Sequence, residues 1–257
     1  QELRKIPLAP GLFRDFEIEY FLGNESVEGL MKAFWEYEQQ IQQAYATRPK
    51  HFEFSFGSPT GKPGEVDPAS NSHPLQVESY RFRGKVDRIE IADDGSLLVV
   101  DYKTGTYPSI RDMWAGERLQ LPLYLQAVYQ VLQKKYPNLK MSGGAFYSLK
   151  SAKEIKKKIA FADQNFAPEG QKISASARFP NTLLGDSGEP LCLEQFVAQV
   201  IQQAERYIDR IRGVEFPHTS DTKHCSSWDG SSCPYRAVCK LNSFKQASIN
   251  KETSGKL

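Results

Sequence analysis

Three residues in the middle of the chain have the types and spacing for chemistry on a phosphate ester. Asp87 lies in Gly84-Lys85-Val86-Asp87-Arg88-Ile89, and Asp101 and Lys103 lie in Val100-Asp101-Tyr102-Lys103-Thr104-Gly105. Between the two runs stands Asp93-Asp94-Gly95, a hairpin signal. A three-residue turn there sets Ala92 opposite Ser96 and, counting back along both strands, Asp87 opposite Asp101. Directly opposed side chains have Cβ atoms about 4.5–5.5 Å apart, and Lys103, two residues beyond Asp101, points to the same face. A two-residue turn shifts the pairing by one, and twist or a bulge would then have to bring the carboxylates together. Two carboxylates held this close call for a cation, and hard oxygen donors favour Mg²⁺ or Mn²⁺. A divalent ion acidifies a water and neutralises a leaving oxygen. A lysine beside it stabilises a developing phosphoryl anion or orients the attacking water.

The simpler reading of the same residues is an Asp–Lys pair that only ties strands together. The surroundings weigh against it. Val99 shares the face of Asp101, while Leu98, Val100 and Tyr102 line the other, so the strand is buried on both faces. Buried Asp and Lys are costly unless paired or liganded.

The elements that must hold these residues follow from periodicity. From Asn24, with Asn24 or Ser26 as cap, Leu30, Phe34, Tyr37, Ile41 and Tyr45 recur at helical spacing. His51 to Phe56 alternates as a strand, with Phe52, Phe54 and Phe56 on one face and Glu53 and Ser55 on the other. Residues 57–74 carry Gly and Pro breakers without periodicity and read as a loop. Leu75 to Arg83 alternates as one polar strand. Gly84 to Ala92 and Ser96 to Lys103 form the hairpin. A helix runs from Asp112 to Tyr136, or starts near Leu119 so that Pro122 falls in its first turns. Gly143 to Leu149 is a strand, Lys153 to Phe161 a basic strand or sheet edge, and Pro190 to Arg212 a second long helix. The tail from Pro217 is loop.

Composition excludes several classes. The chain has 257 residues, 33 Lys+Arg against 31 Asp+Glu, and 40% hydrophobic residues. That is globular composition, neither disordered nor coiled-coil. No apolar run approaches the roughly 18 residues of a membrane span, and no secretory signal opens the chain. The first residue is Gln1 rather than Met, so the sequence reads as a piece of a longer protein. Gly57-x-x-x-Gly61-Lys62-Pro63 is not a P-loop, since it is one residue short and has Pro63 where Ser or Thr should bind magnesium. The four cysteines are too few for a disulfide scaffold. Cys225, Cys233 and Cys239 are clustered, which in a cytoplasmic chain points to a metal or iron–sulfur site, with zinc or free thiols as the alternatives. The lysines Lys150, Lys153, Lys156, Lys157 and Lys158 are either a solvated face or a track for nucleic-acid phosphates, and Arg81, Arg83 and Arg88 around the hairpin could act likewise. Tyr107 and Trp114 either pack or stack on an unpaired base.

The hairpin runs, followed by Gln120-Leu121-Pro122-Leu123-Tyr124, resemble the PD-(D/E)xK nuclease superfamily, its RecB-like domains, and most of all the C-terminal nuclease domain of AddB-type helicase–nuclease subunits. The resemblance covers about residues 50–240. It implies an α/β, restriction-endonuclease-like core, a central mixed β-sheet flanked by helices. The division it suggests is a helical lead-in over 1–50, a nuclease core over 51–216 and a cysteine-containing tail over 217–257. It implies a Mg²⁺- or Mn²⁺-dependent deoxyribonuclease, an exonuclease working beside a helicase in double-strand break repair. In that reading Asp87 and Asp101 are metal ligands with the Tyr102 main-chain carbonyl, and Lys103 is the catalytic lysine. Gln120 and Tyr124, one turn apart on one helix face, contact the DNA or support the metal site. Glu53 resembles a further acidic position that holds the metal through water. Cys233 and Cys239 fit the end of a C-x2-C-x5-C cluster motif, with thiolates the usual ligands of a [4Fe–4S] cluster. Two departures stand out. None of His51, His73, His218 and His224 has the context of the upstream His ligand. Cys225 is separated from Cys233 by Ser226 to Ser232 instead of two residues, and an upstream cysteine is missing unless Cys192 replaces it. The competing readings are a nuclease fold kept for DNA binding or protein interaction without catalysis, and a nuclease that acts without a helicase.

Overall fold

The computed structural model describes residues 12–44, 46–57, 67–77, 79–166 and 191–215. The chain divides into two compact units, Gln1–Tyr207 and Ile208–Leu257. The first is an α/β unit around one five-stranded mixed sheet. Its strands are β1 (Arg48–Phe56), β4 (Gly84–Ile91), β5 (Ser96–Lys103), β6 (Lys140–Ser148) and β7 (Lys156–Ala162), lying side by side in that order. All neighbours are antiparallel except β5 and β6, which run parallel. That parallel pair needs a crossover, which α3 (Ile110–Trp114) and α4 (Gln120–Leu132) supply. The remaining helices are α1 (Leu12–Leu22), α2 (Leu30–Ala44) and α5 (Leu193–Arg212). In the second unit the described residues comprise the end of α5 and the turn after it.

Apolar residues on β5 send the sheet's two faces into separate cores. Leu97 and Val99 join the larger core with Leu121, Leu125 and Val128 of α4 and Phe196, Val197 and Val200 of α5. Leu98 and Val100 join a smaller core with Ile41 of α2, against which Phe34 and Tyr37 also pack. The sheet is therefore covered on both sides, and α2 is part of that cover. Pro122 sits at the third position of α4, where no intrahelical N–H is lost.

The hairpin turns as the Asp93-Asp94-Gly95 signal requires. Ala92 N–H donates to Ser96, and Arg88 and Ile89 pair with Val100 and Val99. Gly95 takes a φ of 85°, a conformation that costs glycine least.

Two local expectations are corrected. Leu75 to Arg83 is not one strand but a small hairpin, β2 (Leu75–Val77) with β3 (Tyr80–Phe82), because the chain turns after Val77. Phe52 does not share a face with Phe54 and Phe56. It is 49% exposed whereas they are buried, because Glu53 between them has a φ of 53° and breaks the two-residue alternation.

Candidate active site

The β4–β5 ladder stops one step short of the two aspartates. Paired residues run from Ile91 and Leu97 to Arg88 and Val100. Beyond them the strands part, and the Asp87 side chain takes over from the backbone: its Oδ2 accepts the Tyr102 main-chain N–H at 2.9 Å. The face alternation of β4 also slips here. Val86 and Ile89, three residues apart, both lie in the larger core. On β1 the neighbouring slip is the strained backbone of Glu53. A non-glycine residue with positive φ costs of order 1 kcal/mol and persists where surrounding structure enforces it.

These slips gather acid at the strand ends. Burial pushes the Asp87 carboxyl above its usual range. The Tyr102 hydrogen bond opposes that shift, and the charges of Asp101 and Glu53 add to it. Asp101 is buried. Its Oδ2 lies 2.5 Å from Lys103 Nζ, an ion-pair contact, but in a geometry that gives this buried oxygen no hydrogen bond. Glu53 is ion-paired with Lys85. Lys103 Nζ also donates to Gln120 Oε1 at 3.5 Å, and Gln120 Nε2 donates to Tyr124 Oη at 3.2 Å. The residues four apart on α4 thus form one chain of contacts that ends on the lysine. Tyr124 is braced by the edge of Phe56. Both rings crowd Gly84, where an added Cβ would lie 2.8 Å from each.

The structure therefore brings Asp87, Asp101, Lys103, Gln120 and Tyr124 into one connected group, with Glu53 near enough to act on Asp87. Among the described residues no three His, Cys, Asp or Glu side chains converge as a metal-binding group. The two aspartates nonetheless fit a divalent cation. Asp101 presents a buried, unsatisfied anionic oxygen, and the desolvated Asp87 carboxyl is destabilised in its charged form, a cost that a cation would offset. Cys225, Cys233 and Cys239 lie outside the described residues, and Cys192 is exposed at the start of α5.

Two basic residues are not where a phosphate track needs them. Arg88 is buried, and its guanidinium donates to Glu38 Oε2 at 2.9 Å and Oε1 at 2.6 Å and to Glu90 Oε1 at 2.8 Å. Lys157 is likewise buried and ion-paired with Glu90. Lys156 and Lys158, pointing the other way along β7, are exposed, as are Lys150, Lys153, Arg81 and Arg83. Trp114 packs, stacked on Phe196.

The buried cluster is the feature that sequence reasoning missed. Glu38 of α2 also accepts from Tyr147 Oη, and Glu90 from Thr47 Oγ1. Burial raises Glu38 toward neutrality, but Arg88's hydrogen bonds and charge outweigh it and hold the carboxyl below its usual range. Two signals were present. Arg88 and Glu90 alternate with Ile89 and Ile91 on a buried strand, and Glu38 falls within the apolar stripe of α2.

The chain is 28% identical over 142 residues to the B subunit of an ATP-dependent helicase/deoxyribonuclease from Alkaliphilus oremlandii (strain OhILAs), covering 50% of this chain and 12% of the relative. It is 37% identical over 71 residues to a protein of the same name from Lachnoclostridium phytofermentans (strain ATCC 700394 / DSM 18823 / ISDg), covering 26% of this chain and 6% of that one. The matches thus span about an eighth or less of these relatives. The profile of the PD-(D/E)XK nuclease superfamily matches residues 4–240, and with a mixed sheet that ends in Asp87, Asp101 and Lys103 beside Gln120 and Tyr124, the chain belongs to that superfamily.

Proposed function

We propose that the chain is the nuclease domain of a helicase–nuclease protein and hydrolyses phosphodiester bonds of DNA with a divalent cation, Mg²⁺ or Mn²⁺. The observation that carries this reading is the buried Asp101 Oδ2, which is ion-paired with Lys103 but makes no hydrogen bond, and whose charge acts on a desolvated Asp87. Asp87, Asp101 and the Tyr102 main-chain carbonyl would hold the cation, with Glu53 reaching it through water. Bound there, a divalent ion supplies charge neutralisation at the phosphate and a more acidic water.

The chain's own residues do the rest. Lys103 releases Asp101 and places its ammonium on a non-bridging phosphate oxygen, where negative charge grows as water attacks phosphorus in line. The bond from phosphorus to the leaving deoxyribose oxygen breaks; that oxygen takes up a proton from solvent and the attacking water gives one up to solvent. Gln120, held by Tyr124, gives Lys103 a second partner that keeps its ammonium at the site once it leaves Asp101. The exonuclease mode, the helicase partner, the place in double-strand break repair and the cytoplasmic setting belong to this same reading. The relatives' names, helicase/deoxyribonuclease, support its DNA substrate and helicase partner. Among the described residues no helix is long and apolar enough to cross a membrane. We assign Cys225, Cys233 and Cys239 to a [4Fe–4S] cluster because Cys233 and Cys239 fit the end of the C-x2-C-x5-C motif, with Cys225 joined to them across the Ser226 to Ser232 insert.

The test is cleavage of end-labelled DNA in the presence and absence of chelator, scored by product length. Metal-dependent shortening from an end supports the proposal. Metal-dependent binding with no product supports instead a nuclease fold retained for DNA binding, a reading favoured by the missing convergence of a third protein side chain on the aspartates among the described residues.

A further inference from the structure

Two cavities meet where the parallel strands β5 and β6 end. The first, about 460 Å³, is walled by Lys103, Gln120, Arg118 and Phe146 together with Thr106 and Tyr107. The second, about 490 Å³, is walled by Ser148, Lys150, Lys153 and Lys156 together with the same Thr106 and Tyr107. They are two halves of one cleft, divided by the loop that follows β5.

The divide is fixed in place. The Tyr107 ring stacks on Phe146 with centroids 5.8 Å apart, and Lys158 Nζ lies 5.1 Å from the ring centroid. Ser109 and Asp112 close the loop with a reciprocal cap at the start of α3.

The halves differ in charge. Beside Lys103, the positive Lys103 and Arg118 face the negative Asp112 and Glu117. Beyond Tyr107, three lysines face Glu154 alone. Lys150 and Lys153 come from the turn before β7, and Lys156 from the pleat of β7 itself. Lys157 turns inward to Glu90, so Lys156 and Lys158 turn outward to the cleft side. Lys150 and Glu154 approach no closer than 3.5 Å on an exposed turn, so that pair holds the ammonium weakly.

We propose that the half beyond Tyr107 is a phosphate-binding subsite that takes the backbone of the strand being cut. The nucleotide at the cleaved bond occupies the half beside Lys103 and Gln120. The phosphates of the adjoining nucleotides lie on Lys150, Lys153 and Lys156, with Tyr107 and Lys158 at the crossing. Each half has the volume of a small-ligand site and holds one or two nucleotides of one strand. Charge-balanced, aromatic walls suit base and sugar, whereas the excess of ammonium groups suits phosphate. The assignment rests on the nuclease reading above and adds to it a place and a direction for the substrate.

The experiment is fluorescence anisotropy of 5′-labelled oligothymidylates of 2, 4, 8 and 12 nucleotides with the whole chain in chelator, where no cleavage occurs. The wild type is compared with the triple variant Lys150→Glu, Lys153→Glu, Lys156→Glu, with Lys153→Ala alone, and with Lys134→Glu, Lys135→Glu as a control on exposed lysines elsewhere. Melting temperatures within 2 °C of wild type, a tolerance set at roughly half the shift expected for 1 kcal/mol, confirm that each variant folds. For the wild type, affinity is expected to climb with length once the strand reaches past Tyr107. The triple variant loses that climb, binds the 12-mer about tenfold more weakly, and has a salt dependence reduced by about 2 in slope, near 0.7 per lost phosphate contact. Lys153→Ala loses about threefold. The control pair binds as wild type. A triple variant that keeps the climb and the slope of the control overturns the subsite, even if the chain cleaves DNA. A wild type that shows the lysine-dependent climb but never cleaves with metal leaves the subsite standing and removes the nuclease reading.

Discussion

Asp87 is where function and stability oppose each other. Its carboxyl is raised by burial and by Asp101 and Glu53, so the unfolded chain gives up this proton at lower pH than the folded chain does. The cost to stability is absent while both states are protonated, and it grows as pH rises through the raised value. Asp87→Asn should therefore melt higher than wild type in chelator at pH 7, on the order of 2–4 °C for each kcal/mol recovered, with the gain shrinking toward pH 4. An unchanged melting temperature at pH 7 would mean that the carboxylate is not strained there. Asp101 calls for the converse behaviour in metal. Its unsatisfied oxygen should make added Mn²⁺ raise the melting temperature of the wild type, and Asp101→Asn should lose most of that rise. Both aspartates and Lys103 were legible because they recur at fixed places around a turn that the chain spells out. Glu53 was harder, since nothing in its run announces a positive φ, and that one dihedral sends Phe52 and Phe54 to different faces.

At the scale of elements, the hairpin and the sheet face of β5 were readable because the turn fixes register and a one-residue slip would put charge in both cores. The lysine run was not readable, because its meaning depends on Glu90 across the sheet. A basic stretch that looks like one face is split by the pleat into an inward Lys157 and outward Lys156 and Lys158. Lys157→Ala should accordingly cost about 3 kcal/mol in denaturant unfolding, as expected when a buried pair loses one partner. Its affinity for DNA should be that of wild type once folded. A variant with wild-type stability and weakened binding would reverse the assignment. Gly84 links the sheet to α4. An alanine Cβ would meet Phe56 and Tyr124 at 2.8 Å, so Gly84→Ala should cost about 1–3 kcal/mol and disturb the Tyr124–Gln120–Lys103 chain. Urea unfolding and single-turnover cleavage would read both effects, and a neutral variant would show that the rings move aside freely.

At the scale of the molecule, the fold follows from a sheet buried on both faces, and its class was legible through the resemblance carried by the hairpin runs and Gln120–Tyr124. What sequence reasoning missed was that α2 is bolted to the sheet by Glu38, Arg88 and Glu90, because acidic residues on a helix ordinarily face water and the place of Glu38 within the apolar stripe was passed over. The cysteine assignment makes its own prediction. Chain purified without oxygen should contain iron and sulfide near four each per molecule, and Cys233→Ser should lose both while the sheet remains folded by circular dichroism. Iron-free chain with normal nuclease activity would remove the cluster from the account. The central claim is that the ends of β4 and β5 form a metal-dependent hydrolytic centre. The most direct measurement is Mg²⁺- and Mn²⁺-dependent cleavage of end-labelled linear and single-stranded DNA by wild type, Asp101→Ala and Lys103→Ala. The account predicts cleavage by the wild type that chelator abolishes, and a loss of about 100-fold or more in each variant, the order expected when a charged group that stabilises the transition state is removed. Cleavage that survives either substitution would contradict it.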